Sequence, residues 1–260
     1  GTPHRAYFEQ LGFPADAIFL GYDVVDNDHF AREADRLRAH PEQVPPLPGL
    51  ADPAPFFLSS NRFIPRKNVA TLLAAYGRYR RTQTAPWRLV LLGDGPERPA
   101  IEAFVARERL DGIVLAGFRQ AADLPAYYAR AGAYVHPALQ DQWGLVVNEA
   151  MAAGLPVLVS DRAGCAEDLV HDGENGYRFD PADAAGLAGL LERLASPGAD
   201  RAAMSQRSRE IIASWSPERF AESVWSAVRH GRTRVGRPFP LAARLMLQLL
   251  PRLARRVTSF

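Results

Sequence analysis

"AYVHPALQDQWGLVVNEAMAAGLPVLVSD", residues 133–161, carries the pattern that decides the fold. A short apolar run, AYVH, ends in a proline-containing loop. A helix-period run, GLVVNEAMAA, follows, and a second apolar run, PVLVSD, comes straight after it. This is how two parallel strands and their crossover helix are written. Working outward, the same alternation recurs. Strand candidates are FFLSS (56–60), RLVLLG (88–93), GIVLAG (112–117), AYVHP (133–137), PVLVSD (156–161) and GYRFD (176–180). Helical runs separate them: KNVATLLAAYGRYRR, ERPAIEAFVARERL, ADLPAYYARA, GLVVNEAMAA and GCAEDLVHDG. Repeated strand-then-helix units imply an α/β fold with a Rossmann-like, doubly wound parallel sheet, because a parallel pair needs a covering crossover. Ligands of such sheets sit at the carboxyl ends of the strands.

The flanks read differently. PEQVPPLPGLADPAP, residues 41–55, is proline-rich and reads as an extended linker. The expected division is therefore residues 1–55, a remnant of a preceding domain plus linker; 56–228, the sheet domain; and 229–260, a basic amphipathic tail. That tail has eight arginines and no acidic residue, against a net charge of +2 for the whole chain. Its apolar run LAARLMLQLL is too short to span a bilayer and suits an anionic membrane surface, with a final packed helix as the alternative. Nucleic acid is not expected as a partner, since interleaved aromatics are missing.

At 260 residues, 47% hydrophobic and 23% charged, the composition is that of an ordinary globular chain able to bury a core. The first residues have no apolar signal core, and the reading is cytoplasmic, with the tail suited to the inner face of the membrane. A lone cysteine, Cys165, excludes a disulfide framework and a multi-cysteine metal site; it reads as structural.

Three loops after strands carry candidate chemistry. In GDGPER, residues 93–98, Gly93 lets backbone approach a ligand closely. Arg98 stands where a dinucleotide fingerprint has its third glycine, which disfavours an NAD-dependent dehydrogenase. In the opening stretch, Asp141 and Glu149 flank seven residues, and a helix starts near Gly144. The first amides of that helix, at Gly144, Leu145 and Val146, lack internal acceptors and form a plausible phosphate cradle. Carboxylates on either side suit sugar and ribose hydroxyls. Spacing alone also allows Asp141 to be a cap and Glu149 a solvated residue. NRFIPRKN, residues 61–68, holds the only lysine, Lys67, among 31 strong cations. A lysine is a compact charge with rotatable donors, suited to phosphate, where arginine offers a planar fork. The DND at Asp26 to Asp28 reads as a helix cap rather than a metal motif, and no metal is assigned. His136 closes a strand at the expected cleft, and a packed histidine is at least as good a reading.

Taken together, SSNRFIPRKNVATLLAAY, LVLLGDGPE, VLAGF, AYVHPALQDQWGLVVNEAMAAGLPVLVSD and AEDLVHDGENGYRF resemble the donor-binding half of family 4 retaining glycosyltransferases of the GT-B fold. The resemblance runs from about residue 1 to 229. It implies that Arg62 and Lys67 reach the diphosphate of a UDP- or GDP-sugar, with no other cofactor. Asp141 would hold the donor sugar and Glu149 the ribose. Gln142, Trp143, Gly144, Leu145 and Val146 would line the donor site with Gly93, and Gly117 and Phe118 would hold the base through backbone. Asp141 departs from the pattern, which usually has glutamate there. The resemblance further implies that the acceptor site belongs to an N-terminal domain that precedes this chain, supplied in cis or in trans. A nucleotide-sugar binding module, or one subunit of a split enzyme, is the competing expectation.

Overall fold

A computed structural model describes residues 1–50 and 52–234. Helices α1 (Thr2–Gln10) and α2 (Asn27–Ala39) come first. The sheet region then runs β1 (Phe56–Ser60), α3 (Val69–Thr82), β2 (Arg88–Leu92), α4 (Arg98–Arg107), β3 (Ile113–Gly117), α5 (Leu124–Arg130), β4 (Ala133–His136), α6 (Leu145–Ala152), β5 (Val157–Ser160), α7 (Ala166–Leu169) and β6 (Gly176–Phe179). Helices α8 (Ala184–Ala195), α9 (Arg201–Ala213) and α10 (Pro217–Arg234) close the described chain. The amphipathic run expected within 241–250 lies outside the described residues. No helix among the described residues is long and apolar enough to cross a membrane.

The six strands form one sheet in the order β3-β2-β1-β4-β5-β6, and every pairing is parallel. This is the doubly wound order. The chain works outward from β1 to one edge, then returns to add β4 on β1's other side. Strand side chains alternate between faces. Phe56 and Leu58 of β1, with Val90, Tyr134, Val157 and Val159, pack on one face against α2, α5 and α6. Phe57, Leu89, Leu91, Val135 and Leu158 pack on the other against α3 and α8, through Leu72, Leu73, Tyr76, Leu187 and Leu191. Both faces are covered, which is why the strands read as continuous apolar runs rather than as alternating ones.

The segment before β1 belongs to this core. Phe30, Ala34 and Leu37 of α2 are buried with Tyr128 of α5 and Met151 of α6, and the Phe30 and Tyr128 rings meet edge to face at 5.9 Å. Asp26 caps α2 by accepting from the His29 amide at 2.9 Å. The proline-rich stretch contributes Leu47 and Leu50 to the same core. At the other end, α10 runs without a break across residue 229. The Ser223 hydroxyl donates to the Leu20 carbonyl, and the His230 and Phe19 rings meet edge to face at 5.5 Å.

Candidate active site

In a doubly wound sheet the two central strands diverge in their crossover direction, which opens a crevice at their carboxyl ends. Here those strands are β1 and β4. The loop after β1 carries Arg62, Arg66 and Lys67; the loop after β4 carries Asp141, Gln142, Trp143 and Gly144. A cavity of about 370 Å³ lies between them, lined by these residues with Asp23, Ser60, Asn61, Leu145 and Val146.

The β1 loop is fixed by backbone chemistry. The Phe63 amide donates to the Asp94 carbonyl, and the Leu139 amide donates to the Arg66 carbonyl, each at 2.9 Å. Asn68 takes a left-handed conformation, φ 56° and ψ 39°, which asparagine tolerates better than most residues. Its buried side chain donates to the carbonyls of Pro137 and Pro181 at 3.0 and 2.9 Å, tying the loops after β1, β4 and β6 together. Lys67, one residue earlier, is thereby held at the crevice. Its Nζ lies 2.5 Å from Asp141 Oδ2.

The β4 loop is equally constrained. The Gly164 amide donates to the Asp141 carbonyl at 3.0 Å, and the Cys165 amide to the Trp143 carbonyl at 3.2 Å. Trp143 is buried, stacks on Trp215 at 4.7 Å and donates from its indole to Asn148 at 2.9 Å. Gly144 has φ 107° and ψ 60° just before α6, a conformation that side chains rarely adopt. A methyl group there would also stand 3.2 Å from His136 Nε2. Helix geometry leaves the first amides of α6 without internal acceptors, and Gly144, Leu145 and Val146 at that end line the cavity.

Asp141 is the electrostatic centre of the site. Its Oδ2 receives Lys67 and also lies 2.9 Å from Nε2 of His136, which is wholly buried at the end of β4. Burial pushes the Asp141 carboxyl up, but hydrogen bonds from His136 and Lys67 outweigh it and hold the group well below the usual carboxylate range. Burial in turn lowers the His136 pKa, against the pull of the Asp141 carboxylate. Glu149 is the fifth residue of α6, about 6 Å along the axis from Leu145. It does not line the cavity. Its Oε2 accepts from the buried Tyr128 hydroxyl at 2.7 Å, and burial raises its pKa. The Tyr134 hydroxyl, which Glu149 and Asp141 both influence, bonds the backbone of cavity residue Ser60 at 3.2 and 3.3 Å.

The structure brings Arg62, Lys67, Asp141, Gln142, Trp143, Gly144, Leu145 and Val146 around one cavity. Gly93, Gly117 and Phe118 lie apart from it on the same carboxyl edge, just after β2 and at the end of β3, one and two strand spacings from β1, roughly 5 and 10 Å. The Gly93 amide bonds the Gly117 carbonyl at 2.9 Å, and Phe118 is 68% exposed. Arg66 and Asp23 join the site without having been singled out in the sequence. Arg66 sits next to Lys67 and could have been read with it. Asp23 lies 118 positions from Asp141, and no local pattern announces it. Tyr128, the partner of Glu149, looked like one more core aromatic.

Comparison with known proteins gives this geometry its family. Residues 45–211 match the family model described as "Glycosyl transferases group 1". The lipopolysaccharide core biosynthesis glycosyltransferase LpsE of Rhizobium meliloti is 31% identical over 160 residues, 61% of this chain and 45% of that protein. A GDP-mannose-dependent alpha-mannosyltransferase of Corynebacterium glutamicum is 28% identical over 166 residues, 62% of this chain and 37% of its own. The chain thus spans less than half the length of these relatives. Among solved structures, sucrose-phosphate synthase from Thermosynechococcus elongatus superimposes with a TM-score of 0.65 and 27% identity, over 81% of this chain and 51% of that one. The Rossmann-like sheet thus corresponds to one half of a GT-B glycosyltransferase. With a family match covering well over half of its residues, the chain belongs to the group 1 glycosyltransferases.

Proposed function

We propose that this chain is the donor-binding half of a retaining, family 4 type glycosyltransferase, which takes a sugar from a UDP- or GDP-sugar and passes it to an acceptor held by a further domain, in cis or in trans. The observation that carries the reading is the cavity at the β1/β4 switch point. There, three cations of one loop face the bare amino end of α6 across Asp141. The GDP-mannose dependence printed in the name of the Corynebacterium relative agrees with a nucleotide diphosphate sugar.

The chemistry follows from charge. As the bond between the anomeric carbon and the diphosphate breaks, negative charge grows on the leaving phosphate oxygens. Arg62, Lys67 and the amides of Gly144, Leu145 and Val146 are placed to stabilise it, and preorganised donors of this kind supply the largest share of many rate enhancements. No metal is needed for that neutralisation. Asp141 orients the sugar and Glu149 the ribose, which contributes positioning. Gly93, Gly117 and Phe118 receive the base further along the edge. Transfer requires the acceptor-binding part, so this half alone binds its donor without turning it over. The arginine-rich residues 229–260 are assigned to an anionic membrane surface at the inner face.

Calorimetric titration of the chain with UDP-glucose, UDP-N-acetylglucosamine, GDP-mannose and NAD tests the reading. Saturable binding of at least one nucleotide sugar is expected. Binding of NAD alone, or of none of the four, refutes it.

A further inference from the structure

His136 is more than core filling. It ends β4 with no exposed surface, in a place that a leucine would fill without a polar atom. Instead the ring keeps Nδ1 buried and unpartnered, and such orphaned groups are uncommon enough to need a reason. The reason lies at the other nitrogen, 2.9 Å from Asp141 Oδ2. Lys67 Nζ meets that same oxygen. Both donors therefore converge on one carboxylate oxygen, while Asp141 Oδ1 has no partner among the described residues and its residue lines the cavity.

We propose, resting on the donor-sugar reading above, that His136 is a positioning residue for the sugar: its Nε2–H pins one oxygen of Asp141 so that the other is aimed at a ring hydroxyl. An aspartate's terminal torsion is broad and nearly two-fold, so without a fixed donor the carboxylate plane is free to turn. Lys67 cannot fix it alone. Its ammonium rides on a flexible four-carbon stem and is the group that a diphosphate would draw away. When that happens, His136 is the donor that stays. The role requires a proton on Nε2, which the Nε2–H tautomer of the neutral ring carries.

The experiment compares nucleotide sugars (UDP-glucose, UDP-N-acetylglucosamine, GDP-mannose) with bare UDP and GDP by calorimetry, for wild type, His136→Leu and His136→Gln. Leucine should weaken the tightest nucleotide sugar about tenfold, the value of one hydrogen bond to a charged group, and leave its nucleoside diphosphate unchanged. Glutamine, whose amide nitrogen can stand near Nε2, should restore most of the loss. Equal weakening of both ligands, no weakening, or a glutamine variant as poor as leucine overturns the role. Nitrogen-15 NMR of the wild-type histidines reads the tautomer without any substitution, and a neutral Nδ1–H His136, which has no proton on Nε2 to donate, overturns it too. This spectrum decides the matter if His136→Leu does not fold. A wild type that binds UDP or GDP as tightly as any nucleotide sugar refutes the role of the His136–Asp141 pair, whereas one that binds no nucleotide at all refutes the donor reading itself.

Discussion

Replacing Lys67 with methionine keeps the stem and removes the charge. In the native chain the ammonium and the Asp141 carboxylate are 13% and 14% exposed, so both are largely desolvated. Breaking a fully buried pair costs about 3–5 kcal/mol. Here some solvent remains and His136 still donates to Asp141, so the expected loss at pH 7 is about 1–3 kcal/mol. Its pH dependence is the sharper test. Asp141 has a folded pKa below its unfolded value, so the pair's contribution is fully present above about pH 4 and is lost as pH falls toward the folded value. The gap between wild type and Lys67→Met should therefore be full at pH 7 and narrow below pH 4 by roughly 1 kcal/mol per pH unit. Urea denaturation at pH 7, 4 and 3 measures it. Donor affinity should fall about 10- to 100-fold, as for a lost charge-assisted bond to phosphate. Lys67→Arg should keep stability within about 1 kcal/mol yet still lose affinity, because the planar fork fills space in the cavity that a point charge leaves open. A stability gap that is the same at pH 7 and pH 3, or full donor affinity in Lys67→Met, would refute the account.

Three other substitutions probe the frame around that pair. Gly144→Ala, at φ 107° and with its methyl 3.2 Å from His136 Nε2, should destabilise by about 1–3 kcal/mol in urea and weaken donor binding as well. A side chain at Gly93 would run into the Asn61 carbonyl, whereas one at Gly117 meets nothing within 4 Å. Gly93→Ala should therefore lower the melting temperature far more than Gly117→Ala, which faces only its φ of 76°. Glu149→Gln keeps an acceptor for Tyr128 and removes a carboxylate whose pKa is raised by burial. A raised folded pKa means that ionisation opposes folding as pH climbs past the ordinary carboxylate value, so Glu149→Gln should be more stable at pH 7, while losing donor affinity. Differential scanning calorimetry at pH 7 reads the first effect; a lower melting temperature contradicts it.

The strands were legible in the sequence because each is buried on both faces and so appears as a short unbroken apolar run, FFLSS and AYVH among them. The helices between β1 and β6 were legible too, though α7 is only four residues where a longer run was expected, its Val170 already extended. Helices α8 and α9 lie beyond the last strand, outside the alternation that marks the others. The site was legible where chemistry is local: Lys67 by its rarity, Gly144 and Asp141 by their place before a helix. It was opaque where partners come from afar. Tyr128 is 21 positions from Glu149, and nothing in its helix distinguishes it from Tyr127, whose hydroxyl is unpartnered. The unit around α2 was the hardest to see, since prolines after it suggested an end rather than a fold contact.

That contact alters what counts as the smallest working piece. The Phe30 ring lies against Tyr128, and the Tyr128 hydroxyl in turn holds Glu149. The match to the family model begins at residue 45, after α2 is complete. A gene fragment cut to the matched span would therefore lose Asp23 from the cavity lining and strip the Phe30 ring from behind Tyr128. Trimming by homology and trimming by folding would give two different proteins here, and only the second would keep Tyr128 backed by Phe30.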